Sequence, residues 1–246
     1  MSRTLLGSLR PAAVVAAVLL GLCLAPAESS AARRRFAWSF DTEMLPERGV
    51  ELEGWLTEEA GEDPKTTLEW RLGLGLLDQI EVSLPVEITF AGGMTQLDTY
   101  GLDARFRLVT ADPLLAPKVV PLVRVGIERA VADDAVTGEA DFVVTGDVWR
   151  LHAVADLGVA VESLGPTVGL TYGAGAVVSL TDFIHVGAEA FGEAVLAAPT
   201  PEAPWLGLGP TLAFTHGRFW ITASALIGLM AAAPDFQGRF LWGVQF

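Results

Sequence analysis

Twelve short segments of period-2 alternation, a secretory-type N-terminus and the absence of any long apolar run after it predict an all-β chain. The predicted architecture is an antiparallel up-and-down transmembrane β-barrel of about 12 strands. The chain has 246 residues, 51% of them hydrophobic, with a mean hydropathy of +0.43. Beyond the first thirty residues nothing approaches the roughly 18 to 20 apolar residues of a spanning helix. Apolar content spread through short alternating segments fits barrel strands, which show every second side chain to lipid. A soluble β-sandwich with a generous core is the alternative.

The N-terminus carries Arg3 and Arg10, then the apolar stretch Ala12 to Leu24, then small residues. That is the layout of a signal peptide over residues 1–32, with cleavage after Ala27, Ala31 or Ala32. Cys23 lies within it, preceded by Leu22 rather than a small residue, so lipidation is not expected and the exported chain would hold no thiol. Residues 33–49, aperiodic and containing Pro46, read as an N-terminal lead-in to a barrel over 50–246.

The strands follow in order, each placed by its alternation and by the residues on its inward parity. Segment 50–58 turns Glu51 and Glu53 inward, and 66–75 turns Glu69 and Arg71 inward. Segment 80–90 is the clearest. Ile80, Val82, Leu84, Val86, Ile88 and Phe90 form one apolar face, while Glu81 and Glu87 stand on the other. Segment 97–109 contributes Asp103, Arg105 and Arg107, and 119–129 contributes Arg124 and Glu128. Segments 139–146 and 150–162 (Asp156, Glu162) are the weakest pair. Gly146-Asp147-Val148-Trp149 could be a turn or a bulge, so ten or fourteen strands are the alternatives. Segment 167–178 places Gly169, Gly173 and Gly175 inward; 183–194 places His185, Gly187, Glu189 and Glu193 there; 205–214 places Gly207 and Gly209. These small residues would leave lumen space, admit a plug or relieve curvature. Segment 219–230 leads to 236–246, where Phe236, Phe240, Trp242, Val244 and Phe246 share the outward parity and Arg239 the inward one.

An even strand number returns both ends to one side, with short inner turns and longer outer loops. Simple hairpin register sets Glu53 near Arg71 and Glu81 near Arg105. Trp70, Phe90, Tyr100, Phe142, Phe214, Phe219 and Trp242 are candidates for interfacial aromatic girdles at strand ends. The terminal strand closing on Phe246 resembles the signal read by the barrel-assembly machinery, which is an expected partner together with outer-membrane lipid.

A net charge of −14, with Lys65 and Lys118 the only lysines, argues against a nucleic-acid partner. No cofactor or metal is implied, since Cys pairs, His at i and i+4, and calcium-loop spacing are all missing. His152, His185 and His216 are the only histidines, and there is no Gly-x-Ser-x-Gly elbow, so an enzyme is not expected. The inward charges form either a satisfied polar interior or a narrow path biased by charge. For the path, the expected constriction is lined by Glu53, Arg71, Glu81, Glu87, Asp103, Arg105, Arg107, Arg124, Glu128, Asp156, Glu189 and Arg239.

Two stretches, Leu45–Trp55 and Gly75–Val82, resemble poorly characterised outer-membrane transporters of the phenol-degradation-pathway (MetA-type) group. The resemblance implies passage or binding of small, often apolar, compounds and transfers no functional residue. The leading functional expectation is a channel or binding pore for a small solute. A closed structural or surface-presentation barrel, its loops at 130–138 and 195–204 meeting outside partners, is the alternative. A membrane lipid hydrolase ranks last.

Overall fold

The computed structural model describes residues 34–61, 64–109, 118–164, 167–198, 203–230 and 233–246. The expected signal peptide lies outside them. The strands are β1 (Val50–Ala60), β2 (Lys65–Leu77), β3 (Ile80–Ala91), β4 (Met94–Arg107), β5 (Val119–Ala130) and β6 (Val136–Val148). They continue as β7 (Leu151–Glu162), β8 (Val168–Ser179), β9 (Ile184–Ala197), β10 (Trp205–His216), β11 (Phe219–Gly228) and β12 (Phe236–Gln245). Each pairs antiparallel with its sequence neighbours, and β1 pairs with β12 to close the barrel. Lengths of 10 to 14 residues match the roughly 9 to 11 that a tilted strand needs to span a bilayer.

The doubtful 139–162 region is two strands. Gly146, Asp147 and Val148 ladder with Ala153, His152 and Leu151, and Trp149, at φ 56°, makes the tight turn. The β3–β4 connection is shorter than the sequence suggested. Gly92 and Gly93 both take positive φ (58° and 78°), which lets a two-residue hairpin turn form and carries pairing out to Ala91↔Met94. Of the five turns at the end holding Val50 and Gln245, three are two residues long, against one of six at the other end. That asymmetry assigns the first end to the inner side.

The distribution of side chains is inside-out relative to a soluble protein, which removes the sandwich alternative. Leu72, Leu84, Leu102, Ile127, Leu157 and Leu212 are exposed on the outer surface, while Glu51, Glu53, Arg71, Glu81, Asp103 and Arg124 are buried within. Leucines across the outside and charges inside are favourable only where lipid is the surrounding solvent. The girdle expectation is corrected in part. All seven aromatics stand on the outward parity, but Trp70, Tyr100 and Phe142 fall at mid-strand, within the apolar band. Phe214 sits at the inner end against Phe183, with ring centroids 5.8 Å apart.

Candidate functional site

Residues 34–48 do more than lead into β1: they run inside the barrel, from mid-lumen to the inner rim. A turn at Pro46–Gly49, closed by Gly49 N donating to Pro46 O at 2.8 Å, reverses the chain into β1. Phe36, Ala37, Trp38, Leu45, Asp41 and Thr42 are all buried by the wall. The segment is a plug.

An aperiodic peptide in a polar lumen must find partners for its backbone groups, and the wall supplies them as charged side chains. Glu189, 0% exposed, accepts from the backbone N–H of Ala37 (2.9 Å), Trp38 (2.9 Å) and Ser39 (3.3 Å). Glu81 accepts from Leu45 N at 2.9 Å, and Arg105 donates to the carbonyls of Asp41 and Glu43 as well as to Glu81. Thr222 donates to the Arg34 carbonyl. Hydrogen bonds with one ionised partner are stronger than neutral ones and more costly to leave unmade.

Side chains complete the seat. The Arg34 guanidinium lies 3.0 Å from Glu53, which also accepts from Trp55 Nε1 at 2.8 Å. The register places Glu53 opposite Arg71, and yet Arg34 of the plug is its ion-pair partner. His152 sits between Asp41 (3.3 Å) and Asp147 (2.9 Å), its ring stacked on Phe36 with centroids 5.6 Å apart. Burial opposes ionisation of Asp41, but the hydrogen bond and charge of His152, with Arg35, hold its carboxyl well below the usual range.

Glycines make room for the plug at two levels. A Cβ on Gly175 would meet the Phe36 ring at 2.7 Å, and one on Gly173 would meet the Asp156 carboxylate of the wall as well as Ser39 Oγ at 2.7 Å. Gly187 and Gly209 have another cause, since a Cβ there would strike the neighbouring strand's backbone at 1.9 and 1.6 Å. Among the described residues, a Cβ on Gly169 would have only Ala160 within reach, at 3.9 Å.

Above the plug lies a charge ladder across the wall. Arg71 bonds Glu69 and Asp103; Arg124 bonds Asp103 (2.9 Å), Glu139 (2.8 Å) and Asp141 (2.7 Å). Register brings the ladder together, because Arg124 stands opposite Arg105 on one side and Asp141 on the other. The guanidinium faces also cover aromatic rings: Arg71 lies 4.4 Å from the Trp55 centroid, Arg124 4.6 Å from Phe40 and Arg239 3.9 Å from Trp38.

The outer half of the lumen is open. A cavity of about 350 Å³ lies there, within the size range of small-molecule sites. Its floor is the plug (Arg34, Phe36 to Phe40), and its walls include Glu69, Glu87, Glu128, Asp156, Glu193 and Arg239. Among the residues expected to line a constriction, Arg71, Glu87, Arg124, Glu128, Asp156 and Arg239 meet in this vestibule. Glu53, Glu81, Arg105 and Glu189 are instead buried in the wall–plug contact, and Asp103 is buried in the charge ladder between Arg71 and Arg124. Arg107 is apart from both, at the inner rim, donating to the Asp78 carbonyl at 2.9 Å. The plug residues were absent from the expected lining. Their signal in the sequence is indirect: Glu189 stands in register with Gly175 of the neighbouring strand, which leaves space in front of it.

No family model matches the chain, and no curated protein matches it. Solved structures do. The chain is similar to the NanC porin (TM-score 0.55, 7% identity, 80% of this chain and 98% of that one). It is similar too to the KdgM porin in complex with disordered oligogalacturonate (0.52, 8%, 80% and 98%) and to LpxR from Salmonella typhimurium (0.52, 8%, 80% and 99%). At these identities the likeness is one of fold: the chain shares the closed antiparallel β-barrel of these proteins, here with twelve strands.

Proposed function

We propose that this protein is an outer-membrane channel or binding pore for a small water-soluble solute, which enters an outward-facing vestibule above a plug formed by residues 34–48. The observation that carries this reading is the asymmetry of the lumen. A charged, aromatic-floored cavity of about 350 Å³ opens outward, while the inner half is filled by a segment held through its backbone. The plug is held by hydrogen bonds to its backbone and by two apolar clusters with the wall, Phe36 among Leu122, Val143, Val154 and Val177, and Ala37 and Trp38 among Trp55, Trp220, Leu226 and Leu241.

Residues 1–32 act in this reading as the export signal, and the Phe246 strand as the segment met by the assembly machinery. Lipid contacts the outward leucines. The resemblance to phenol-degradation-pathway barrels supports a small solute; the charged vestibule favours a polar one. No enzyme activity is proposed. His152 is engaged by Asp41, Asp147 and Phe36 near the inner end, far from outer-leaflet lipid.

The filled inner half also favours the second reading, a closed surface-presentation barrel. One experiment separates them: planar-bilayer recording of the exported chain with and without residues 34–48. A pore gives low current in the intact chain and a steady, large conductance after deletion. A folded deletion variant that stays silent supports the closed barrel and overturns the pore.

A further inference from the structure

The vestibule already holds a cation of its own. Arg239, from β12, lays its guanidinium 3.9 Å from the centroid of Trp38 on the plug, donates to the Ala37 carbonyl at 3.2 Å and to Thr57 Oγ1 at 3.1 Å. Among the described residues it makes no salt bridge, although carboxylates surround the cavity. Seven of the lining residues are acidic and four are arginines. Arg34 pairs with Glu53 outside the lining, while Arg71 and Arg124 divide their charge between Asp103, also outside it, and the lining acids Glu69, Glu139 and Asp141.

Part of this acidity stands on one wall, from β2 to β5. Glu69 and Glu87 are direct register partners on β2 and β3, an arrangement that is unfavourable without a cation between them. Glu69 is met by Arg71; Glu87 and Glu128 form no ion pair among the described residues. Between them β4 presents Gly101, where a Cβ would strike Glu128 Cγ at 2.9 Å. A cleft of one sign with low-dielectric walls concentrates counter-ions, and an aromatic face backed by carboxylates is a cation site.

We propose that the vestibule binds an organic cation, a primary amine or guanidinium, which pairs with Glu87 and Glu128 and takes the place of Arg239 over Trp38. This rests on the pore reading and names its solute class. It also couples occupancy to the plug, because Arg239, once displaced, no longer holds the Ala37 carbonyl.

The test is isothermal titration of the exported protein in detergent with agmatine, which carries both an amine and a guanidinium, and with glutarate as an anion of similar length. Agmatine is expected to bind and glutarate not. The double change Glu87→Gln and Glu128→Gln is expected to weaken agmatine about tenfold or more, and Arg239→Gln, which vacates the Trp38 face, to tighten it about tenfold. Heat-modifiable gel migration verifies that each variant is folded. Tighter glutarate binding, no agmatine binding, or weaker agmatine binding by Arg239→Gln would overturn the cation assignment. The pore reading would then still stand or fall separately, on the current gained by deleting residues 34–48.

Discussion

The inner and outer halves of the lumen are built from the same residue types and behave oppositely. In the inner half, Glu189, Glu81, Arg105 and Glu53 each find a partner on the plug. In the outer half, Glu87 and Glu128 face a cavity, and Arg239 covers an aromatic ring instead of a carboxylate. Charges inside a barrel thus do two jobs, distinguished by whether a backbone lies across them. Buried charge with every group paired holds a shape; the same charge around open space attracts a guest.

The sharpest way to break the difference is to remove the carboxylate that seats the plug. Glu189→Ala leaves three buried plug amides without an acceptor, at about 1–3 kcal/mol each when counted singly. Such losses are not additive, so a net shift of ~3 kcal/mol, or about a hundredfold in open probability, is expected in single-channel records. An unchanged open probability would show that Glu189 does not hold the plug.

A smaller shift is expected from the room the wall leaves. Gly175→Ala places a methyl against the Phe36 ring, and overpacking of this kind costs about 1–3 kcal/mol. Open probability should rise about tenfold while the barrel's heat-modifiable transition stays in place. If the transition collapses with it, the glycine serves the wall and not the plug.

Acidity separates the halves next. Because Asp41 ionises below the usual carboxylate range when the plug is seated, its stabilising contribution is complete above that range and is lost only as pH falls beneath it. The difference in current between the intact chain and Asp41→Asn should therefore stay constant from neutral pH to about 4, the ordinary aspartate value. Asp41→Asn should raise the baseline. A step in that difference near pH 4 would contradict the seating of Asp41 against His152.

The smallest effect is expected in the outer half. Glu87→Gln touches no plug residue, so stability should change by less than about 0.5 kcal/mol, as for other changes away from packed features. Only the cation preference of the plug-deleted pore, read as reversal potential in a salt gradient, should fall. A rise in open probability with this variant would mean that the two halves are not separable.

How much of this was legible in the sequence depended on periodicity. The wall announces itself because each strand must alternate: Ile80 to Phe90 has one face of apolar side chains and one with two glutamates. Register followed, and Glu81 does meet Arg105. The plug obeys no such rule. Its partners read its backbone N–H and C=O groups, which every residue carries, so Arg34 to Arg48 shows no pattern that marks it as lumenal. Glu53 does stand opposite Arg71 in register, but its ion-pair partner, Arg34, comes from the plug. The inward glycines pointed to a plug as one of three causes. Only the positions of Phe36 and Ser39 against Gly175 and Gly173 distinguish that cause from the strand crowding at Gly187 and Gly209.

The central claim is that residues 34–48 sit in the lumen with their backbone bound to the wall. Amide hydrogen exchange resolved at Ala37, Trp38 and Ser39 tests it most directly. Seated against Glu189, these amides should be protected to a degree comparable with strand amides, and should lose that protection in Glu189→Ala. Exchange of all three at the rate of an unstructured peptide in the intact protein would contradict the account.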